Sequence, residues 1–112
     1  MMAATPGVSF GSKPAHTALA GMYSVRGFGL DGQTYGGSVQ VLVGANGYQV
    51  TWSIDGDKHQ GMGQVSGDIL NVFSSDGGRL TVTMAITDDH TLTGTWSSAG
   101  RPGTGTERWV RW

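Results

Sequence analysis

The fold is decided by residues 34–54, TYGGSVQVLVGANGYQVTWSI, in which apolar and polar side chains alternate on either side of the dipeptide Asn46-Gly47. Alternation with a period of two is typical of a half-buried β-strand. Asn-Gly favours a tight turn because both residues tolerate a positive φ. The stretch therefore predicts two antiparallel strands, whose inner faces carry Tyr35, Gly37, Val39, Val41, Val43, Tyr48, Val50, Trp52 and Ile54.

The same alternation continues outward from this stretch, for example in residues 79–87 and 91–97. Short strands separated by frequent turns are typical of a β-sandwich or β-barrel. We therefore predict an all-β domain, an antiparallel up-and-down meander of about eight strands, with no helix longer than two turns. The turns that separate the strands are Asp31-Gly32, Asn46-Gly47, Asp55-Gly56, Ser66-Gly67, Asp76-Gly77-Gly78, Asp88-Asp89-His90 and Gly100-Arg101-Pro102-Gly103.

Closure of the sheet follows from its edges. An open meander leaves two strand edges able to pair with other chains, and the predicted strands carry few Lys and no Pro that would protect an edge. Pairing the first strand with the last removes both edges, and eight strands enclose space for side chains or for one small ligand. We expect a closed or nearly closed barrel; an open two-sheet sandwich is the competing layout.

The chain divides into two parts. Residues 1–20 show no periodicity and contain Pro6 and Pro14, so we interpret them as a flexible N-terminal arm. Residues 21–112 contain the regular pattern and form the predicted barrel domain. A domain of this size can bury a core without disulfides or metal ions.

The composition argues against several classes of function. The chain has no Cys, which removes thiol catalysis and thiolate metal sites and leaves the cellular compartment open. Its net charge is −1, and three Arg between Arg101 and Arg111 make the densest basic run, so we expect no nucleic-acid partner. No apolar run approaches the roughly 18 residues that a membrane-spanning helix needs. No motif requires a cofactor.

Glycine motifs and histidines have plain structural interpretations. Residues 7–11 match the G-x-S-x-G pattern of serine hydrolases, but they lie in the irregular arm rather than at a strand–turn–helix. Residues 61–67 resemble a dinucleotide loop, yet no βαβ unit follows, and paired glycines favour a bend at a barrel corner. His16, His59 and His90 lack ligand spacing, so we expect solvated histidines and no metal site.

Large side chains with polar tips are the best candidates for a binding site inside the barrel. Tyr and Trp need hydrogen-bond partners when buried, and Met adapts to irregular cavities. Two interpretations stay open: the side chains fill the barrel as an ordinary core, or they line a pocket for a ligand. The candidate residues are Tyr35, Tyr48, Trp52, Met62, Met84 and Trp96.

Glu107 is the carboxylate of most interest, and its position depends on the register of the last strand. If Gly105, Glu107, Trp109 and Arg111 face inward, Glu107 is buried beside tyrosines and becomes a candidate proton donor, proton acceptor or ligand contact. The opposite register places Arg108 inside and Glu107 in water. The segment fits both registers, because each face carries an aromatic residue and an Arg.

A glycine–aromatic motif recurs in the sequence, and its copy at the start of the first strand, where Tyr23 takes the place of a Trp, carries a resemblance to a known family. Gly21-Met22-Tyr23, Gly47-Tyr48 and Gly94-Thr95-Trp96 each place an aromatic residue shortly after a glycine. Residues 21–112 resemble the small bacterial calycin-type barrels, which are related in shape to lipocalins and avidins. The resemblance implies that a basic residue of the last strand packs over the aromatic residue of the first. Arg108 and Tyr23 would be that pair.

Three functions are compatible with this pattern. The first is a barrel that binds a small hydrophobic or aromatic ligand in its interior, and the second is a structural or interaction domain with a filled core. The third is a cofactorless enzyme that uses Glu107 or a Tyr. A homo-oligomer is compatible with the second function, since Trp109 and Trp112 cannot both be buried in either register.

Overall fold

The computed structural model describes residues 19–112, which form a closed barrel of eight antiparallel strands in chain order. The predicted fold class is confirmed: each strand pairs with its neighbours in sequence, and no helix occurs in the described residues. The strands are β1 (Gly21–Phe28), β2 (Thr34–Gly44), β3 (Gly47–Ile54), β4 (Asp57–Ser66), β5 (Ile69–Ser74), β6 (Leu80–Ile86), β7 (Thr91–Ser98) and β8 (Gly105–Arg111).

The barrel closes through β1 and β8. Val25 lies opposite Gly37 of β2 on one side and opposite Trp109 of β8 on the other. This pairing leaves neither strand with a free edge, which is the physical advantage that the sequence indicated. The alternative of an open sandwich is therefore excluded. Residues 19–112 contain no helix long and apolar enough to cross a membrane.

The antiparallel order gives the barrel two distinct ends. The connections at residues 29–33, 55–56, 75–79 and 99–104 lie at one end, which we name the open end. The connections at residues 45–46, 67–68 and 87–90 lie at the other, which we name the closed end. The first and last described residues also lie at the closed end, because β1 starts there and β8 ends there.

The interior of the closed half is a packed apolar core. Trp109 is completely buried and contacts two other rings: its ring centroid lies 6.0 Å from that of Tyr23 and 5.8 Å from that of Trp52. Trp109 therefore separates the filled closed half from the open half. The other buried core residues include Leu19, Val41, Tyr48, Val50, Leu70, Val72, Met84 and Leu92.

The start of the domain differs from the predicted boundary. Leu19, assigned to the arm on sequence grounds, is buried in the core, and its carbonyl oxygen accepts a hydrogen bond of 2.7 Å from the Tyr23 hydroxyl. The predicted arm otherwise falls at residues 1–18, which lie outside the described residues. Leu19 shows that a single apolar residue without periodicity can still contribute to the core.

The closed end contains a cation between aromatic and backbone groups. The Arg111 guanidinium lies 4.8 Å from the centroid of the Tyr23 ring and donates hydrogen bonds to the Tyr23 hydroxyl and the Ala20 carbonyl. The resemblance predicted Arg108 for this place, and that prediction is wrong. Arg108 points outward and is exposed, because it has the opposite parity to the buried Trp109.

Candidate functional site

The register of β8 places Glu107 inside the barrel. Gly105, Glu107 and Trp109 are buried, whereas Thr106, Arg108 and Val110 between and after them are exposed. The hydrogen-bonded neighbours fix this register, since Glu107 lies opposite Gly27 of β1 and Gly94 of β7. Both residues opposite Glu107 are therefore glycines.

Three side chains donate hydrogen bonds to the Glu107 carboxylate. The indole N–H groups of Trp52 and Trp109 donate to Oε1 at 3.1 and 2.8 Å. The Tyr35 hydroxyl donates to Oε2 at 2.5 Å. An ionised carboxylate has about four acceptor positions, so this arrangement occupies Oε1 fully and leaves Oε2 with one lone pair. Indole N–H groups can only donate, so Oε1 is an acceptor.

Tyr35 stays a neutral donor over the ordinary pH range. Burial raises the pKa of its hydroxyl far above the usual value, and the hydrogen bond to Glu107 and the negative charge of that carboxylate raise it further. The nearby Trp96 indole lowers the pKa by a smaller amount. The Tyr35 hydroxyl therefore retains its proton and keeps Glu107 oriented.

Two glycines create the space that these aromatic side chains occupy. A Cβ atom at Gly27 would lie 2.5 Å from the Tyr35 hydroxyl oxygen and 2.6 Å from the Thr106 carbonyl oxygen. A Cβ atom at Gly105 would collide with the Trp96 indole and lie 2.5 Å from the Phe28 carbonyl oxygen. Glycine is required at both positions because side chain and backbone approach closely there.

The Trp96 indole nitrogen has an unusual environment. It is buried and makes no hydrogen bond of regular geometry among the described residues, although it lies close enough to the Tyr35 hydroxyl to lower the pKa of that group. The ring itself is only partly buried and forms one side of the open half. Buried polar groups are usually paired, so Trp96 contributes surface to the interior at some cost in stability.

The open half of the barrel contains a cleft of about 480 Å³. Tyr35, Trp52, Trp96 and Glu107 form its inner part, and Ile54, Leu80 and Val82 form its apolar wall. The rim carries Asp55, Asp57, His59, Ser98 and Arg101.

A tight turn places the acidic part of the rim. Asp55 and Gly56 have φ angles of 52° and 84°, the paired positive values of the hairpin turn that suits twisted strands. The turn presents Asp55 and Asp57 at the mouth of the barrel, where both are exposed. Within residues 19–112, no group of three or more His, Asp or Glu side chains is arranged to hold a metal ion.

The structure brings together four of the seven residues that the sequence identified: Tyr35, Trp52, Trp96 and Glu107 line the cleft. Tyr48 and Met84 face inward but are buried in the closed half, and neither lines the cleft. Met62 is 46% exposed on the outer face, so its predicted inward position is wrong.

The reason for the position of Met62 lies in its neighbours. Gly61 and Gly63 are the inward residues of this part of β4, and a Cβ at Gly61 would lie 2.8 Å from a methyl group of Val72. The large side chain therefore belongs on the outer face, and the small residues pack against the core. The large side chain of Met62 suggested an inward position, but the parity of the strand places it outside.

The rim was missed on sequence grounds. Asp55 was predicted to lie in a turn, which it does, but a turn at the open end is also part of the site, together with Asp57, the first residue of β4. His59 shares the inward parity of Gly61, and this parity is the signal that could have identified it. Arg101 lies in a glycine- and proline-rich connection whose position only the fold defines.

Comparisons with known proteins place the chain by fold alone. No protein-family model matches it, and no curated protein matches it. A redesigned β-barrel, b11L5F_LGL, has a TM-score of 0.65 at 18% identity, over 88% of this chain and 95% of the other.

Two further designed barrels have the same shape. A de novo designed fluorescence-activating β-barrel has a TM-score of 0.63 at 18% identity and covers 90% of this chain and 100% of its own. The redesigned barrel mFAP1, bound to DFHBI, has a TM-score of 0.64 at 17% identity. The match covers 88% of this chain and 100% of mFAP1. At these identities the likeness supports an eight-stranded barrel, and function must be argued from the site.

Proposed function

We propose that this protein binds a small, partly apolar aromatic ligand in the cleft at the open end of the barrel. The observation that carries the proposal is the division of the interior: the closed half is packed with side chains, whereas the open half encloses about 480 Å³. A concave site of this size with apolar walls and a few placed polar groups is typical of small-molecule binding.

The composition of the cleft supports an aromatic ligand. Trp52, Trp96 and Tyr35 offer ring surfaces, and Glu107 offers one oriented hydrogen-bond acceptor. Rings pack against rings in offset or edge-to-face arrangements with a gain of about 0.5–1.5 kcal/mol per pair. One of the similar barrels holds DFHBI, a small molecule, which is consistent with this use of the fold.

The architecture also supports a relationship with the calycin-type barrels, which we put forward as part of the proposal. Gly21-Met22-Tyr23 opens β1, and Arg111 of β8 packs over the Tyr23 ring. The resemblance implied that a basic residue of the last strand packs over an aromatic residue of the first strand. This contact is present, but Arg111 forms it instead of Arg108. Binding of small ligands inside the barrel is the use expected of such a fold.

A ligand screen with a blocked variant tests the proposal. Thermal-shift and Trp-fluorescence titrations with fatty acids, aromatic acids and amines, terpenoids and flavins should identify compounds that raise the melting temperature by mass action. Ser98→Trp should fill the cleft and abolish binding, because Ser98 lines it. Thr95→Trp, on the exposed outer face of the same strand, is the control and should bind normally. Equal binding by both variants would contradict the proposal.

The interaction-domain alternative has one observation in its favour. Met62 and Phe73 lie opposite each other on the outer faces of β4 and β5 and are 46% and 51% exposed. Exposed apolar neighbours can mark a contact surface. If this face joins two copies, Phe73→Ser should convert a dimer to a monomer in sedimentation velocity; a monomeric starting protein would remove this alternative.

The enzyme alternative has less support from the site. Glu107 already accepts three hydrogen bonds, which hold it as an oriented acceptor. Such a carboxylate is better suited to fix a ligand than to exchange protons with one.

A further inference from the structure

We propose that the ligand of the cleft is a cation, an organic amine that places its ammonium group on Glu107 between the surrounding aromatic rings. The inference rests on the proposed function and deepens it, because it names the chemical class of ligand.

The charge of the site favours a cationic ligand. Glu107 is only 8% exposed, and its three hydrogen-bond donors are neutral groups: two indoles and one phenol. Neutral donors orient a carboxylate but leave its full negative charge in place. Buried charges are normally paired with an opposite charge, so the position next to Oε2 favours a cationic partner.

The aromatic surfaces of the cleft also favour a cationic ligand. Trp52, Trp96 and Tyr35 line the cleft around the carboxylate. The face of an aromatic ring attracts a cation, most strongly for Trp. A carboxylate combined with several rings is therefore selective for an alkylammonium group over a neutral or anionic one.

The closed end offers an internal comparison. There, Tyr23 is covered by the guanidinium of Arg111, which belongs to the same chain. The open half contains the rings of Tyr35, Trp52 and Trp96 and a carboxylate. Its lining residues include one guanidinium, that of the exposed Arg101 on the rim. The barrel thus supplies its own cation at one end and presents the matching groups to solvent at the other.

The rim adds to the preference. Asp55, Asp57 and Glu107 line the cleft together with Arg101 and His59, so three carboxylates face one guanidinium and one imidazole. A cleft with an excess of negative charge raises the local concentration of cations and repels anions. Its volume of about 480 Å³ accommodates a single aromatic ring with a short amino-alkyl chain.

Three matched probes test the inference on the intact protein. The three probes share a phenyl ring and a short chain and differ in charge. 2-Phenylethylamine is positively charged, 2-phenylethanol is neutral and 3-phenylpropionate is negatively charged. Binding is measured by isothermal titration and by Trp fluorescence. We expect the amine to bind about tenfold or more tightly than the alcohol, because it gains one strong charge interaction. The carboxylate should bind most weakly.

Two variants locate the effect. Glu107→Gln keeps the shape of the side chain and removes its charge, so it should reduce the preference for the amine to about threefold or less. Asp68→Asn removes a carboxylate from an exposed turn at the closed end and should leave the preference unchanged. Circular dichroism establishes that each variant is folded.

The outcomes separate the inference from the proposed function. Equal binding of the amine and the alcohol to the wild-type protein would overturn the inference while supporting an aromatic-binding cleft. Binding of none of the probes would overturn both. The wild-type comparison decides the matter even if Glu107→Gln does not fold.

Discussion

Trp52 and Trp96 show how two residues of one type acquire different roles in the same barrel. Both side chains face inward, and both occupy inward positions of the same alternating sequence pattern. Trp52 is 6% exposed, its N–H is bonded to Glu107, and its ring packs edge-on against Trp109. Trp96 is partly buried, and its N–H makes no hydrogen bond of regular geometry within residues 19–112. Trp52 therefore belongs to the core as well as to the inner part of the cleft, whereas Trp96 is a partly buried wall of the cleft.

This difference predicts unequal costs of substitution. Trp52→Phe removes ring volume and a donor to a buried carboxylate, and should lower the free energy of unfolding by about 2–3 kcal/mol. Trp96→Phe loses some buried ring surface but also removes an N–H without a regular hydrogen bond, and the second effect offsets part of the first. It should therefore lower the free energy of unfolding by less than about 1 kcal/mol. Urea unfolding of both variants measures the two costs. Equal costs would show that the partnership with Glu107 contributes little.

At the scale of the strand, glycines decide how closely neighbouring strands and side chains approach. Gly94 of β7 lies opposite Met84 of β6 and Glu107 of β8. A Cβ atom there would collide with the Thr83 carbonyl oxygen and lie 2.8 Å from the Met84 Cα. These are backbone atoms of a paired strand, which cannot move without breaking the ladder. Gly94 is thus required by the closeness of β6 rather than by its φ angle.

A pair of Ala substitutions tests this requirement. Gly94→Ala should lower the free energy of unfolding by about 2 kcal/mol or more, since overpacking against backbone forces the strands apart. Gly36→Ala is the control, because its Cβ would lie 3.5 Å from the nearest atom, an ordinary contact. The control should be neutral or slightly stabilising, since Gly weakens a strand. Chemical denaturation compares the two, and a tolerated Gly94→Ala would contradict the close approach.

The ends of the strands obey a different rule from their middles. Val43 continues the inward alternation of β2, yet it is 62% exposed, next to the turn at the closed end of the barrel. Leu19 precedes β1 and belongs to no alternating pattern, yet it is 4% exposed. Near the ends of the strands, the face of the strand therefore does not decide burial by itself.

Substitution of these two residues should reverse the ranking that periodicity suggests. Leu19→Ala should lower the free energy of unfolding by about 2–3 kcal/mol, as for other buried Leu residues. Val43→Ala should change it by less than about 0.5 kcal/mol, as at other exposed positions. Thermal and urea unfolding provide the measurement. A neutral Leu19→Ala would show that the core does not need the segment before β1.

At the scale of the whole molecule, the barrel buries all three tyrosines of the chain, wholly or in part. Burial raises the pKa of Tyr23, Tyr35 and Tyr48 above the ordinary value of about 10. For Tyr23, the positive charge of Arg111 opposes part of this increase. The native barrel therefore holds these protons more tightly than the unfolded chain does.

The consequence is a loss of stability in alkali. Below about pH 10 both states keep the protons, and the contribution of the tyrosines to stability is complete. As the pH rises above that value, the unfolded chain ionises first, so the free energy of unfolding falls. Urea midpoints should therefore decrease above about pH 10, and less steeply for Tyr35→Phe. Tyrosinate absorbance that appears near pH 10 while the near-ultraviolet circular dichroism stays native would contradict this account.

The sequence by itself determined the architecture, since period-two alternation and turn chemistry are local properties. Residues 34–54 indicate two strands and a turn without reference to the rest of the chain, and β2 and β3 form there with one tight connection. Tyr35 and Trp52 could be assigned inward positions for the same reason. Their meeting with Glu107 required the ring of strands to close, because the three residues lie on β2, β3 and β8.

The tertiary structure decided those features for which the local sequence pattern allows more than one arrangement. Residues 105–112 carry one aromatic residue and one Arg on each face, so only the pairing of β8 with Gly27 and Gly94 fixes Glu107 inside. The same pairing places Arg111, and not Arg108, over Tyr23. Whether an inward side chain fills the core or lines a cleft depends on its distance from the barrel ends. That distance arises from the stagger of eight strands around a closed ring, and no single strand encodes it.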